Sequence, residues 1–161
     1  MKVVLILFVF LYLILGCKKE STTHIVSSTA SLKNKSIEQI SKKDSIKIIA
    51  GLPWHSDIKS AFTLAKKEKK NVIIMVEENS CKWCRKMKEL TLTDKQVQEK
   101  LKTYILVAVK RSDKNAITQI PEFDGNIPSF FFMKTDQELI EPVVGYFEAK
   151  DFLHYIKEIE E

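Results

Sequence analysis

The sequence predicts an α/β domain, a central mixed β-sheet with helices on both faces, and three observations lead there. Two wholly apolar runs, Val72–Val76 and Tyr104–Val109, read as strands covered on both sides. Stretches with apolar residues at helical spacing lie around them, at Asp57–Lys70, after Thr93 and from about Glu148. A further pair of apolar runs, Ser129–Met133 and Leu139–Val144, flanks Thr135-Asp136-Gln137-Glu138 as a hairpin. Alternating strands and helices, then a hairpin and a last helix, make a mixed sheet.

Each element has its own reason. Ile46–Ala50 reads as a short first strand. In Asp57–Lys70 the residues Ile58, Ala61, Phe62 and Ala65 fall at i, i+3, i+4 and i+7, with lysines on the outer side. Thr93-Asp94-Lys95-Gln96 has capping-box spacing with Thr93 as the cap, and it opens a short helix through Leu101. Pro142 lacks an N–H to donate, which places the last strand at an edge. Phe152, Tyr155, Ile156 and Ile159 line the closing helix, and His154 among them is expected to be partly packed.

The chain before this domain reads differently. Met1-Lys2 precedes an unbroken apolar run, Val3–Leu15, and then Gly16-Cys17-Lys18-Lys19. A positive head, an apolar stretch and a small residue before a cut site describe an export signal over residues 1–16. As a helix the run rises roughly 20 Å, short of the ~30 Å hydrocarbon core. Ile14-Leu15-Gly16-Cys17 resembles the lipobox of bacterial lipoproteins. That resemblance implies that Cys17 becomes the acylated first residue, held to a lipid bilayer by burial of its acyl chains. Residues 17–45, rich in Ser, Thr and Lys with no apolar period, are expected to form a flexible tether. His24 is then a solvated linker residue. The folded domain is expected over residues 46–161.

The formal charge of +5 raises the question of a nucleic-acid partner. From Ile46 onward, however, the chain carries 19 basic and 18 acidic residues, and much of the excess lies in the tether. A near-neutral domain offers no electrostatic footprint for nucleic acid, so none is expected as a partner.

An exported protein works where disulfides persist. With Cys17 acylated, Cys81 and Cys84 are the only remaining thiols of the three cysteines. They frame Cys81-Lys82-Trp83-Cys84, where an apolar strand turns into a helix. At that spacing the first helical turn brings both sulfurs within bonding reach. The upstream sulfur meets unpaired N–H groups and the positive end of the macrodipole. Thiols so placed have their pKa lowered from ~8.5 into the range ~3.5–7.5. Cys81 is therefore the expected nucleophile and Cys84 the resolving thiol. Lys82, Arg85, Lys86 and Lys88 add positive charge, although Lys86 and Lys88 read equally well as solvated surface. Covalent haem is excluded because Arg85 stands where a histidine is needed. A structural zinc lacks ligands, His55 and His154 being at no ligand spacing, so no metal site is expected. A merely structural bridge closes too small a loop to stabilise much.

The strand, the CxxC at a helix start and the later Ile127-Pro128 before an apolar strand together resemble the thioredoxin fold. That resemblance implies a cis peptide at Pro128 beside the cysteines and a backbone at Ile127 that pairs with substrate. More narrowly, Cys81-Lys82-Trp83-Cys84-Arg85-Lys86-Met87-Lys88-Glu89 followed by Thr93-Asp94-Lys95-Gln96-Val97-Gln98 is similar to the C-terminal periplasmic domain of DsbD-type thiol:disulfide interchange proteins. Gly145-Tyr146 leading into the last helix also fits. The likeness covers residues 51–161.

Four departures stand out. The buried carboxylate of thioredoxins falls on Met75, so a proton acceptor for Cys84 must come from elsewhere. Glu77 and Glu78 are the nearest candidates, although both are expected to face solvent. Ser80 replaces the usual tryptophan, while Trp83 sits inside the motif, either as an apolar contact for partners or packed on the domain. Pro121 interrupts the helix expected between the second and third main strands, so residues 110–126 read largely as loop. No membrane-spanning electron channel like that of the interchange proteins is expected, so electrons are expected to come from a separate partner.

The resulting expectation is a lipid-anchored, extracytoplasmic thiol–disulfide oxidoreductase that reduces protein disulfides, with no cofactor and a separate membrane electron donor. The site residues are Cys81 and Cys84 for catalysis, with Trp83, Ile127 and Pro128 for substrate. The alternatives are a disulfide oxidase or isomerase, and a non-enzymatic lipoprotein holding Cu(I) on its two thiolates.

Overall fold

The computed structural model describes residues 44–161. The expected export signal, Cys17, His24 and the expected tether up to residue 43 lie outside the described residues. The elements are β1 (Ile46–Ile49), β2 (Leu52–His55), α1 (Ile58–Glu68), β3 (Val72–Glu77), α2 (Lys82–Lys86), α3 (Lys95–Leu101), β4 (Ile105–Lys110), α4 (Lys114–Ile117), β5 (Ser129–Met133), β6 (Leu139–Val144) and α5 (Ala149–Glu160). A π-helical turn, Met87–Thr91, follows α2 directly. The six strands form one sheet in the order β1-β2-β4-β3-β5-β6.

The sheet is mixed, as expected. β3 runs parallel to β4 and antiparallel to β5, and β5 and β6 form the hairpin. All six residues of β3 are buried, because both faces are covered. Ile73 and Met75 point into a core with Met87, Leu92, Leu101, Phe130, Phe132, Phe152 and Ile156. Val72, Ile74 and Val76 point the other way, against Ile58, Phe62, Val107 and Phe131. Each large side chain so buried contributes on the order of 1.5–3 kcal/mol relative to exposure. Helices α3 and α5 supply the first core, and α1 and α4 the second.

α1 follows the sequence reading closely. Ile58, Ala61, Phe62 and Ala65 are its buried stripe, and Asp57 caps it by accepting from the Ser60 N–H at 2.8 Å. β6 is the edge strand that Pro142 requires. Between β4 and β5 only the four-residue α4 is helical.

Two expectations are corrected, the cap of α3 and the packing of His154, and one strand is added. The expected first strand, Ile46–Ile49, is present, and Leu52–His55 pairs antiparallel with it as a hairpin. Ala50 and Gly51 turn it with φ of 51° and 78°, the left-handed pair of a tight two-residue turn. Pro53 hid β2 from the sequence reading. It is tolerated because β2 joins its other neighbour, β4, only through His55. The cap of α3 is Asp94, which accepts from the Gln96 and Val97 N–H groups, and not Thr93. The Thr93 hydroxyl instead donates back to the carbonyls of Glu89 and Leu90, closing the π-helical turn. His154 faces outward, its side chain 70% exposed with Nε2 3.3 Å from Glu158. Position 154 falls between the buried Phe152 and Ile156 in number but on the opposite face in space.

Asp44 and Ser45 bind the domain. Asp44 accepts from the Ser56 and Asp57 N–H groups and lies 2.6 Å from His55 Nδ1. Ser45 N donates to the Ser56 hydroxyl.

Candidate active site

β3 delivers the chain to the top of the sheet, and a tight loop turns it into α2. The loop is held from below. Glu78 accepts at its backbone carbonyl from the Cys81 N–H, at 3.1 Å, while its carboxylate takes the Asn79 and Ser112 N–H groups. Hydrogen bonds from Ser112 and Asn79 hold the Glu78 carboxyl below its ordinary pKa.

Cys81 is the N-cap of α2, with extended backbone at φ −79° and ψ 108°. Its sulfur accepts from the Cys84 N–H at 3.0 Å. The two cysteines form a disulfide, with S–S 2.13 Å and Cα–Cα 5.2 Å. Cys84 is fully buried and Cys81 half-buried, so only the upstream sulfur reaches solvent. That asymmetry comes from the helix: Cys84, one turn on from the N-cap, is the buried residue of α2.

Ile127-Pro128 is a cis peptide. The Ile127 carbonyl oxygen lies 3.9 Å from Cys81 Sγ, and Pro128 is buried beside it. The Pro128 carbonyl accepts from the Gly145 N–H at 2.8 Å, which ties the loop to the end of β6. Gly145 has φ of +113°, a conformation that side chains disfavour, and it directs Tyr146 back over the site. Trp83 stacks on Tyr146 with ring centroids 5.5 Å apart, yet stays 51% exposed. Of the two readings of Trp83, the packed one is seen: the ring lies on Tyr146, with Lys82 and Lys86 near it, while about half of the residue stays exposed. Trp83, Ile127, Pro128, Gly145 and Tyr146 line a cleft of about 300 Å³. All five residues of the expected site, Cys81, Trp83, Cys84, Ile127 and Pro128, therefore converge.

Two residues named from the sequence take places there that it did not show. Tyr146 was legible only as an aromatic residue following a glycine at a strand end. Glu77, expected in solvent, is a correction: it is 5% exposed, and its carboxylate accepts from Lys88 Nζ at 2.8 Å and from Lys110 Nζ. Lys110 also donates to Asn79 Oδ1 at 2.6 Å, gripping the loop before Cys81. Burial alone favours the neutral Glu77 acid, but the hydrogen bonds and positive charges of Lys110 and Lys88 outweigh it and hold the carboxyl below its usual range. Lys88 is consequently spent on Glu77, while Lys86 lies over the Tyr146 ring at 4.4 Å.

Comparison with known proteins agrees with this architecture. The C-terminal domain of Neisseria meningitidis DsbD in its oxidised form superposes with a TM-score of 0.53 at 18% identity, covering 64% of this chain and 96% of that one. A DsbH oxidoreductase gives 0.57 at 15% identity, covering 67% and 83%. A thioredoxin from Thermus thermophilus gives 0.55 at 19% identity, covering 65% and 84%. At these identities the likeness is one of fold. No curated protein is similar enough in sequence to match. Among the described residues no helix is long and apolar enough to cross a membrane. The fold and the paired cysteines together support thiol–disulfide oxidoreduction as the chemistry of the site. A family model, the thioredoxin-like domain, matches residues 58–160, and with most of its length so matched the chain belongs to the thioredoxin-like domain family.

Proposed function

We propose that this protein is a lipid-anchored, extracytoplasmic thiol–disulfide oxidoreductase that reduces disulfides in client proteins. The observation that carries the reading is the N-cap sulfur of Cys81, bonded to the Cys84 N–H and to the buried Cys84 sulfur beside cis-Pro128.

In the reduced protein the Cys81 thiolate keeps the Cys84 N–H as its partner, and a charge-assisted hydrogen bond of this kind lowers a thiol pKa. The thiolate attacks one sulfur of a client disulfide. An S–S bond forms between Cys81 and the client, and the client's other sulfur leaves as a thiolate. Cys84 gives up its proton through solvent, the released client thiolate takes one up, and the Cys84 thiolate then attacks Cys81 Sγ. The Cys81–Cys84 bond of this structure forms, and the second client sulfur departs. Two electrons and two protons pass to the client. A separate membrane-borne dithiol donor restores the enzyme, since neither cysteine can regenerate itself. The dithiol–disulfide pair needs no cofactor.

Support for anchoring comes from the lipobox-like Ile14-Leu15-Gly16-Cys17, with the residues between Cys17 and Asp44 as the tether. The reductive direction draws on the likeness to the DsbD C-terminal domain.

Equilibrating the Cys81–Cys84 couple with glutathione tests direction. A potential near about −270 mV supports a reductase, and one near about −120 mV replaces it with an oxidase. Mass spectrometry of the exported protein is expected to find an acylated N-terminal Cys17, and an unmodified cysteine there refutes the anchor.

A further inference from the structure

The rim of the disulfide is chemically lopsided. On one side lies the apolar cleft of Trp83, Ile127, Pro128, Gly145 and Tyr146. Ile127 and Trp83 both border Cys81, so a client joined to that sulfur must lay its neighbouring residue against this cleft. A stacked Trp–Tyr pair offers a rigid apolar surface at little entropic cost.

Above the rings stands positive charge. Lys86 Nζ is 4.4 Å from the Tyr146 centroid and 5.4 Å from that of Trp83, and Lys82 Nζ is 5.9 Å from Trp83. The aromatic faces hold these ammonium groups in place without neutralising them. Among the described residues neither lysine forms an ion pair, in contrast to Lys88 and Lys110, which Glu77 has taken. The carboxylate at this rim is Glu148, which accepts from the Tyr146 hydroxyl at 3.4 Å, at the far end of the ring. The α2 side of the cleft is therefore open, apolar at its floor and cationic at its lip.

We propose that this rim selects its clients, favouring a disulfide cysteine flanked by a large apolar residue with a carboxylate residue next to it. The apolar side chain enters the cleft, and the carboxylate meets Lys86 and Lys82. This deepens the thiol–disulfide reading and rests on it. It names a class of client segment: acidic and apolar around the cysteine.

The test uses the reduced full-length chain and four synthetic peptides, each with one cysteine in a mixed disulfide with a chromophoric aryl thiol. They differ only beside the cysteine: Leu-Asp, Leu-Lys, Ser-Asp and Ser-Lys. At low ionic strength the second-order rate constant for aryl-thiol release in a single turnover is expected to be about fivefold higher for Leu-Asp than for Leu-Lys, with the gap shrinking as salt rises. Lys86→Glu is expected to reverse the Asp-over-Lys order, and Trp83→Ala to erase the Leu-over-Ser preference. Ratios between peptides are the readout because any change in thiolate reactivity cancels from them. Equal rates with all four peptides, or a preference for Leu-Lys, overturn the proposal while the thiol–disulfide reading stands. No release of the aryl thiol from any peptide overturns both.

Discussion

Glu77 and Lys110 face one another in register at the ends of the parallel strands β3 and β4, one pleat beyond the pair Met75 and Ala108. Because side chains alternate along a strand, Glu77 shares a face with Met75, the face that packs against the π-helical turn. Lys88 from that turn takes the second carboxylate oxygen. A single buried carboxylate thus joins β3, β4 and the segment after the CxxC, and through Lys110 and Asn79 it holds the loop before Cys81.

Replacing Glu77 with Gln should therefore cost stability in a pH-dependent way. The folded Glu77 pKa is depressed, so its contribution is present above the unfolded value near 4.5 and is lost as pH falls through the folded pKa. At neutral pH the variant is expected to lose about 1–3 kcal/mol, the two lysines being partly solvated. Urea melts from pH 7 to pH 3 should show the two proteins converging on the acid side. A pH-independent difference would mean that the carboxylate's charge is irrelevant.

The cap of α3 gives a sharper contrast. Asp94→Ala removes the acceptor for two N–H groups and should cost about 1 kcal/mol. Thr93→Ala leaves those bonds intact and should cost less, although Thr93 has two carbonyl partners in the π-helical turn. Denaturant midpoints for the two variants decide the order. The reverse ranking would restore Thr93 as the cap.

The site was legible for a physical reason: its chemistry depends on residues close in sequence. Cys81 and Cys84 lie one helical turn apart, and that turn alone sets the burial difference between their sulfurs. Long apolar runs such as Val72–Val76 likewise declare a covered strand whatever surrounds them. What was not legible depends on partners distant along the chain. Glu77 looks like any charged strand end until Lys88 and Lys110 arrive from two other elements. Tyr146 gains its role only because β6 ends against the Pro128 loop. β2 was hidden by Pro53, a local signal that tertiary pairing overrides. Thr93 and Asp94 both suit a cap, and which one serves depends on where the π-helical turn leaves the chain.

Asp44 stands at the entry to the domain and satisfies two N–H groups at the start of α1 as well as His55. Burial opposes its ionisation, but the hydrogen bonds from His55, Ser56 and Asp57 prevail and depress its pKa. Asp44→Ala should lower stability by about 1–2 kcal/mol at neutral pH, through N–H groups left without an acceptor. Because the folded pKa is lowered, that contribution is fully present above the unfolded value near 3.8 and fades as pH drops through the folded value. Thermal melts at pH 7 and pH 3 provide the check, and an unchanged melting temperature at pH 7 would show that Asp44 belongs functionally to the tether.

The last prediction concerns the division of labour between the sulfurs. Cys84 is buried and Cys81 is not, so under the proposed function a client disulfide is expected to meet Cys81 first. Cys84→Ala removes the resolving sulfur while leaving the Cys84 backbone N–H position to serve the thiolate, since that hydrogen bond is made by the main chain. Attack therefore proceeds and release does not, and the mixed disulfide accumulates. With a reduced protein and an excess of a two-chain disulfide substrate such as insulin, non-reducing gels should show a covalent adduct that dithiothreitol dissolves. Turnover should fall by orders of magnitude. Cys81→Ala should give neither adduct nor turnover, because the remaining sulfur is enclosed by the core. An adduct forming on Cys84 in that variant would show that the buried sulfur is reachable, and the assignment of nucleophile and resolving thiol would have to be exchanged.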